Sequence, residues 1–172
     1  PFAAMPEDWV LSGPHFFVGN PFNKTPRAIC SEKGQYDILD LENLPDSYLP
    51  RSNYFPMDDR TEYARRTPRV KWMEAGQAQG KRATNYFRLN VRRGLSLAAL
   101  RTLTPSVMPP DSAHINGVFS IAFRSNQEML LAIAAWSSTL ADFLIKCAGK
   151  VDFRGDLADS MFLLSREEER PD

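Results

Sequence analysis

Apolar and polar residues alternate along TNYFRLNVRR (residues 84–93). Phe87, Leu89 and Val91 fall on one side, and Tyr86, Arg88, Asn90 and Arg92 on the other. A period of two marks a strand with one face in the core. The pattern predicts a half-buried strand whose solvent face carries an aromatic ring, two arginines and an amide. HFFVG (15–19) and HINGVFSIAFR (114–124) are more uniformly apolar and predict buried strands. In QYDILDLENLPDSYLPRSNYFP (35–56), Tyr36, Ile38 and Leu41 alternate with Asp37, Asp40 and Glu42. That predicts an edge strand with a solvated acidic face, running into an irregular loop. NPFNKTPR (20–27) predicts a turn-rich loop, because the residue before each proline is steered out of helix.

The strongest helical segment is NQEMLLAIAAWSSTLADFLIKCAGK (126–150). Ser125 or Asn126 supplies an N-cap, Lys146 a last-turn cation and Gly149 a stop. Ser137, Ser138, Asp142 and Lys146 interrupt its apolar character and argue against a membrane span. SLAALRTL (96–103) predicts a short helix capped by Ser96. SREEERPD (165–172) predicts a solvated acidic tail after one domain over residues 1–164. The expected fold class is α+β: a mixed, largely antiparallel sheet of short strands with one long C-terminal helix packed on it, rich in loops.

Composition narrows the picture. In 172 residues, 43% hydrophobic content suffices for a core, and 13 prolines favour short strands and loops over a helical bundle. Cys30 and Cys147 are too few for a disulfide framework or a four-cysteine zinc site and fit a reducing, cytoplasmic compartment. Cys147, among Leu144, Ile145 and Ala148, reads as a small core residue. His15 and His114 are the only histidines, and His114 reads as structural. No metal site is expected. The chain begins at Pro1 without a methionine, which reads as a segment of a larger protein.

The 21 basic and 21 acidic side chains sum to zero, but they are not mixed evenly. Residues 60–101 hold eleven Lys and Arg against Glu62 and Glu74, a balance of +9 that leaves −9 for the rest. Arginine offers a planar fork that fits phosphate or a guanine edge, and asparagine fits an adenine edge. The candidate nucleic-acid-contacting set is therefore Arg65, Arg66, Arg69, Lys71, Lys81, Arg82, Tyr86, Arg88, Asn90, Arg92 and Arg93. The alternative is a solvated face whose charges pair with the acidic remainder.

Two partial catalytic patterns occur in the chain. FFVGNPF (16–22) is close to the Asn-Pro-Pro-aromatic motif with which amino-methylating DNA methyltransferases grip a flipped base, with Asn20 and Phe22 in the key places. The second proline is missing, and no glycine-rich strand-turn-helix follows to hold a methyl donor. Asp58, Asp59, Glu62, Lys71 and Glu74 follow no metal-nuclease spacing.

The order of GPHFFVGNPFNKTPR, YDILDLENLPDSYLPRSNYFP, NYFRLNVRR, LTPSVMPPDSAHINGVFSIAF and SSTLADFLIKCAGKVDF resembles the region after the catalytic domain in large single-chain adenine-specific DNA methyltransferases of restriction–modification and phage-defence systems. That region is a target-recognition domain related to TaqI-like specificity domains. The resemblance covers roughly residues 9–162, with PRSNYFP, RTLTPSVMPP and SSTLADF its most family-like pieces. It implies a non-catalytic reader of double-stranded DNA, partnered by the parent's methyltransferase domain, with S-adenosylmethionine used by the parent and no cofactor in this segment. It adds Arg51 to the contact set, and Arg88, Arg92 and Arg93 match positions where such domains carry polar or basic residues. The rival expectations are a catalytic fragment using Asn20-Pro21-Phe22 and a protein-interaction or structural domain.

Overall fold

A computed structural model describes residues 5–164 apart from Lys33. The acidic tail at 165–172 lies outside the described residues. The strands are β1 (Val10–Leu11), β2 (Lys24–Pro26), β3 (Tyr36–Ile38), β4 (Arg88–Arg92), β5 (Ser106–Met108), β6 (Ala113–His114) and β7 (Val118–Ala122). The α-helices are α1 (Arg60–Arg66), α2 (Asn126–Trp136), α3 (Thr139–Ala148) and α4 (Gly155–Asp159). The architecture is α+β. Its centre is the antiparallel sheet β5-β4-β7, flanked by a parallel pair β1-β6 and an antiparallel pair β2-β3.

The predicted strand at 84–93 exists as β4, in the middle of the central sheet. Residues directly opposite each other in an antiparallel ladder share a face. Leu89 pairs with Val107 and Ile121, and Val91 pairs with Phe119. This face packs on Met129, Ala132, Trp136, Ile145, Phe153 and Leu157 to form the main core. The opposite face carries Arg88, Asn90 and Arg92, with Met108, Ser106, Ala122, Ser120 and Val118 beside them. It was expected to meet solvent. Instead, the N-terminal segment crosses it, and Leu11 and Phe16 join Met108 and Val118 in a second core that Trp9 and Phe22 border. Both faces of β4 are thus covered. Arg88 and Asn90 are buried, while Phe87, expected in the core, is exposed.

The predicted long helix is two helices that meet at 68°. Ser138 is the reason. Its hydroxyl accepts from the Ala141 N–H at 3.2 Å and starts α3 anew. Ser125 caps α2 in the same way and completes a reciprocal capping box with Glu128. Gly149 closes α3 with φ of +65°, a left-handed conformation that costs glycine nothing. No single helix among the described residues is long and apolar enough to cross a membrane.

The predicted helix at 96–103 is absent. Asp142 of α3 takes the N–H groups of Thr102 and Leu103 at 2.7 and 2.8 Å, donors that a helix would need, and the segment forms turns and bends instead. HFFVG is likewise no strand: Gly13–His15 is a 3₁₀ turn, and Phe17 and Asn20 form an isolated bridge. The 114–124 segment divides into β6 and β7 around a turn. Part of the 20–27 loop becomes β2, which pairs with β3 as the edge, but Ile38 is exposed rather than buried. Cys147 also departs from expectation. It is exposed, on a stripe with Leu140, Phe143 and Leu144 that faces away from the core.

Candidate nucleic-acid interface

The basic block folds into three pieces that surround one side of the central sheet. Asp59 caps α1 through the Glu62 N–H, and the short helix presents Arg65 and Arg66 in its last turn. The segment after it doubles back, with Arg69 bridged to Arg82 and the Val70 N–H bonded to the Lys81 carbonyl. Gly80 permits this close return, since a Cβ there would collide with the Val70 carbonyl oxygen. The third piece is β4 itself.

A cleft of about 630 Å³ opens between these pieces and β7. Arg66, Arg88, Arg93 and Arg154 line it, together with Tyr63, His114, Asn116 and Ser120. No aspartate or glutamate is among the described residues of its wall. A second depression shares Tyr63, Thr67 and Thr84 with the cleft, and a third shares Arg82 with the second while adding Arg69 and Lys81. Together these adjoining depressions are the trough, cationic at both ends, with Arg60, Glu7 and Asp111 in its middle part.

Local pairing removes much of the formal +9. Arg65 and Arg66 both bind Glu62, at 2.5 and 2.6 Å. Lys81 binds Glu74 at 2.5 Å, and the Tyr86 hydroxyl donates to the same carboxylate at 2.7 Å. Arg93 and Arg154 share Asp152, each at 2.7 Å. These partners hold the Glu62, Glu74 and Asp152 carboxyls below the ordinary range. Arg69 and Arg82 donate to the Gly80 and Ala64 carbonyls and brace the hairpin. Lys71 is exposed beside Trp72, which packs edge-on against Tyr86 with centroids 5.6 Å apart.

Of the expected contact residues, the structure brings Arg66, Arg88 and Arg93 to the cleft, and Arg69, Lys81 and Arg82 to the far end of the trough. Arg65 and Lys71 are exposed nearby in sequence. Tyr86 is half-buried against Trp72 and Glu74 rather than displayed on a free strand face. Arg92 is half-buried and lines a different depression, beside Tyr36, Tyr54 and Lys24. Asn90 is fully buried with neither amide atom partnered among the described residues, so it reaches no base edge. The Arg51 carbonyl accepts from His15, and Arg51 is not on the cleft wall. Arg154, Asn116 and Tyr63 were missed. Arg154 reaches the cleft because Gly94 bridges Asp152 across distant sequence, a pairing with no local signature.

Arg88 has the most unusual environment. It is 3% exposed, donates one Nη2–H to the Ser112 carbonyl, and leaves Nε without a partner among the described residues. Burial pulls its guanidinium down to about 10, against smaller effects of Tyr63 and Asp111, so it stays charged at neutral pH. His114, on the same wall, is lowered by burial and by the nearby Arg88 charge and stays neutral.

The methylase-like loop is otherwise engaged. The Asn20 carboxamide oxygen accepts from the Phe22 N–H at 2.8 Å, a local turn, and the Phe22 ring packs between Trp9 and Tyr48. Among the described residues no group of three or more His, Cys, Asp or Glu is arranged to hold a metal ion.

No protein-family model, curated protein or solved structure matches this chain.

Proposed function

We propose that this chain is a non-catalytic reader of double-stranded DNA, the recognition part of an adenine-specific methyltransferase or restriction–modification enzyme. The observation that carries the reading is the trough: a cleft walled by four arginines without a carboxylate, linked through the wall residues of the middle depression to a braced hairpin bearing Arg69, Lys81 and Arg82. Clustered arginines on rigid elements suit a polyanion, because they fix the register of a phosphate backbone before any base is read. The base-reading role moves off β4, whose Asn90 is buried, to the exposed polar side chains of the hairpin, Gln77, Gln79 and Asn85. These lie beside the phosphate-contacting cations and have the donors and acceptors that direct readout needs.

The exposed stripe Leu140, Phe143, Leu144 and Cys147 on α3 supports a second surface, facing a neighbouring protein body such as the parent's methyltransferase domain. Contiguous exposed apolar side chains are the usual mark of such a contact. In this reading S-adenosylmethionine belongs to that neighbour.

The test is duplex binding by the 172-residue chain and by the double reversal Arg66→Glu/Lys81→Glu, one residue at each end of the trough. Both side chains reach solvent, so the fold is expected to survive. Affinity for mixed-sequence duplex falls by about tenfold or more in the variant, since each reversal removes a phosphate contact and adds a repulsion. Equal affinity for the two proteins would remove the trough from the account.

A further inference from the structure

Burying a charge is costly unless something pairs with it. The three other arginines of the cleft each have a carboxylate: Arg66 has Glu62, and Arg93 and Arg154 have Asp152. Arg88 has none at ion-pair distance among the described residues. Asp111 acts on it only from farther away. Among the described residues its guanidinium makes one hydrogen bond, to a neutral carbonyl, and its buried Nε–H has no partner. Yet four of the five residues of β4 are buried, and a methionine or leucine in place of Arg88 would match the apolar neighbours Met108 and Ala122. A guanidinium held at the floor of an arginine-walled cleft, with no internal counter-charge, is configured for an external one.

We infer that the cleft above Arg88 is a phosphate site, in which one phosphate group supplies the missing counter-charge to the Arg88 guanidinium and meets Arg66 and Arg154 on the same wall. Phosphate fits better than carboxylate. Its several oxygens let a central fork and two flanking guanidiniums bind at once, each by charge-assisted hydrogen bonds. The volume is far larger than one phosphate needs and has the size of a small-molecule pocket. The remaining wall, with Tyr63, Pro68 and Val118, then faces the sugar or base attached to it. For the source of that phosphate, a backbone phosphodiester, the inference rests on the duplex-binding reading. A free nucleotide is the other source of the same chemistry.

The experiment measures thermal unfolding in inorganic phosphate and in deoxyadenosine monophosphate against chloride of matched ionic strength, and duplex affinity in parallel. It uses the wild-type chain, Arg88→Met and Arg88→Lys. Ligands that bind only the folded state raise its midpoint. Wild type is expected to respond to both phosphate probes. Arg88→Met is expected to keep a midpoint near wild type in chloride, to lose the phosphate response and to bind duplex about tenfold more weakly. Arg88→Lys retains the charge without the fork, and its response falls between the two. A wild-type chain that does not distinguish phosphate from chloride overturns the site. So does an undiminished response in Arg88→Met or, should that variant fail to fold, in Arg88→Lys. A phosphate response lost in Arg88→Met with duplex affinity unchanged supports the site and assigns it a free nucleotide. A phosphate response without any duplex binding keeps the site and sinks the duplex reading. Duplex binding with no phosphate response does the reverse.

Discussion

His15 shows how much of this molecule rests on single buried polar side chains. Its Nε2–H donates to the Arg51 carbonyl at 2.9 Å, which leaves Nδ1 to accept from the Ser12 N–H at 3.1 Å. Its ring stands edge-on to Tyr36, whose hydroxyl meets the Ser12 hydroxyl at 2.8 Å. One side chain thereby ties the N-terminal turn to the loop at Arg51 and to β3. Burial lowers its pKa, against smaller opposing effects of the Arg51 and Ser12 hydrogen bonds, and His114 is lowered as well. The sign follows directly. A base with a depressed folded-state pKa takes up its proton more readily when unfolded, so stability is full above the ordinary value and drains away as pH falls below it. The unfolding midpoint is expected to drop between about pH 6.5 and about pH 5, above the range in which the lowered carboxyls of Asp142 and Asp152 titrate. His15→Gln is expected to flatten that drop. A wild-type midpoint constant across the interval would contradict the neutral, buried assignment.

At the scale of elements, Asp142 and Ser138 decide where helix begins and ends. Burial pushes the Asp142 carboxyl up, but the Leu103 and Thr102 N–H groups together with Lys146 hold it below the ordinary value. Arg101 adds an ion pair at 3.5 Å. Asp142 thus docks the 96–105 segment onto α3. Ser138 restarts the helix at an angle that lets α2 and α3 both reach the core. Ser138→Ala is expected to cost about 1 kcal/mol, the usual value of a cap, read from chemical denaturation at unchanged m-value. An unchanged midpoint would show that packing alone sets the bend. The same two residues mark the limit of what was legible. Periodicity identified β4, β7 and the apolar content of the α2–α3 region, because each is dictated by local alternation or spacing. It ran α2 and α3 together because a Ser-Ser pair reads as tolerable helix when its capping role is unseen. It assigned helix to 96–103 because the competing acceptor, Asp142, lies about forty residues away in sequence.

At the scale of the whole molecule, zero net charge resolves into local pairs and one remaining cationic trough. The sequence asymmetry of +9 against −9 was visible from the start, and the candidate arginines were drawn from it. Its distribution over the surface was not. Glu62, Glu74 and Asp152 each neutralise neighbours, while the N-terminal segment covers Asn90 and leaves Arg88 only the edge of the cleft. That covering depends on Leu11 and Phe16 meeting Met108 and Val118, contacts between segments about a hundred residues apart. What survives as an interface is narrower than the sequence block and includes Arg154 from outside it. The central claim is that this trough grips a phosphate backbone. Its most direct measurement is the affinity of the 172-residue chain for duplex DNA as a function of salt. With about four phosphates neutralised by Arg69, Lys81, Arg82 and Arg88, a plot of log K against log salt is predicted to fall with a slope of about −3 to −4. Binding without a salt slope, or no binding to duplex at low salt, would contradict the claim.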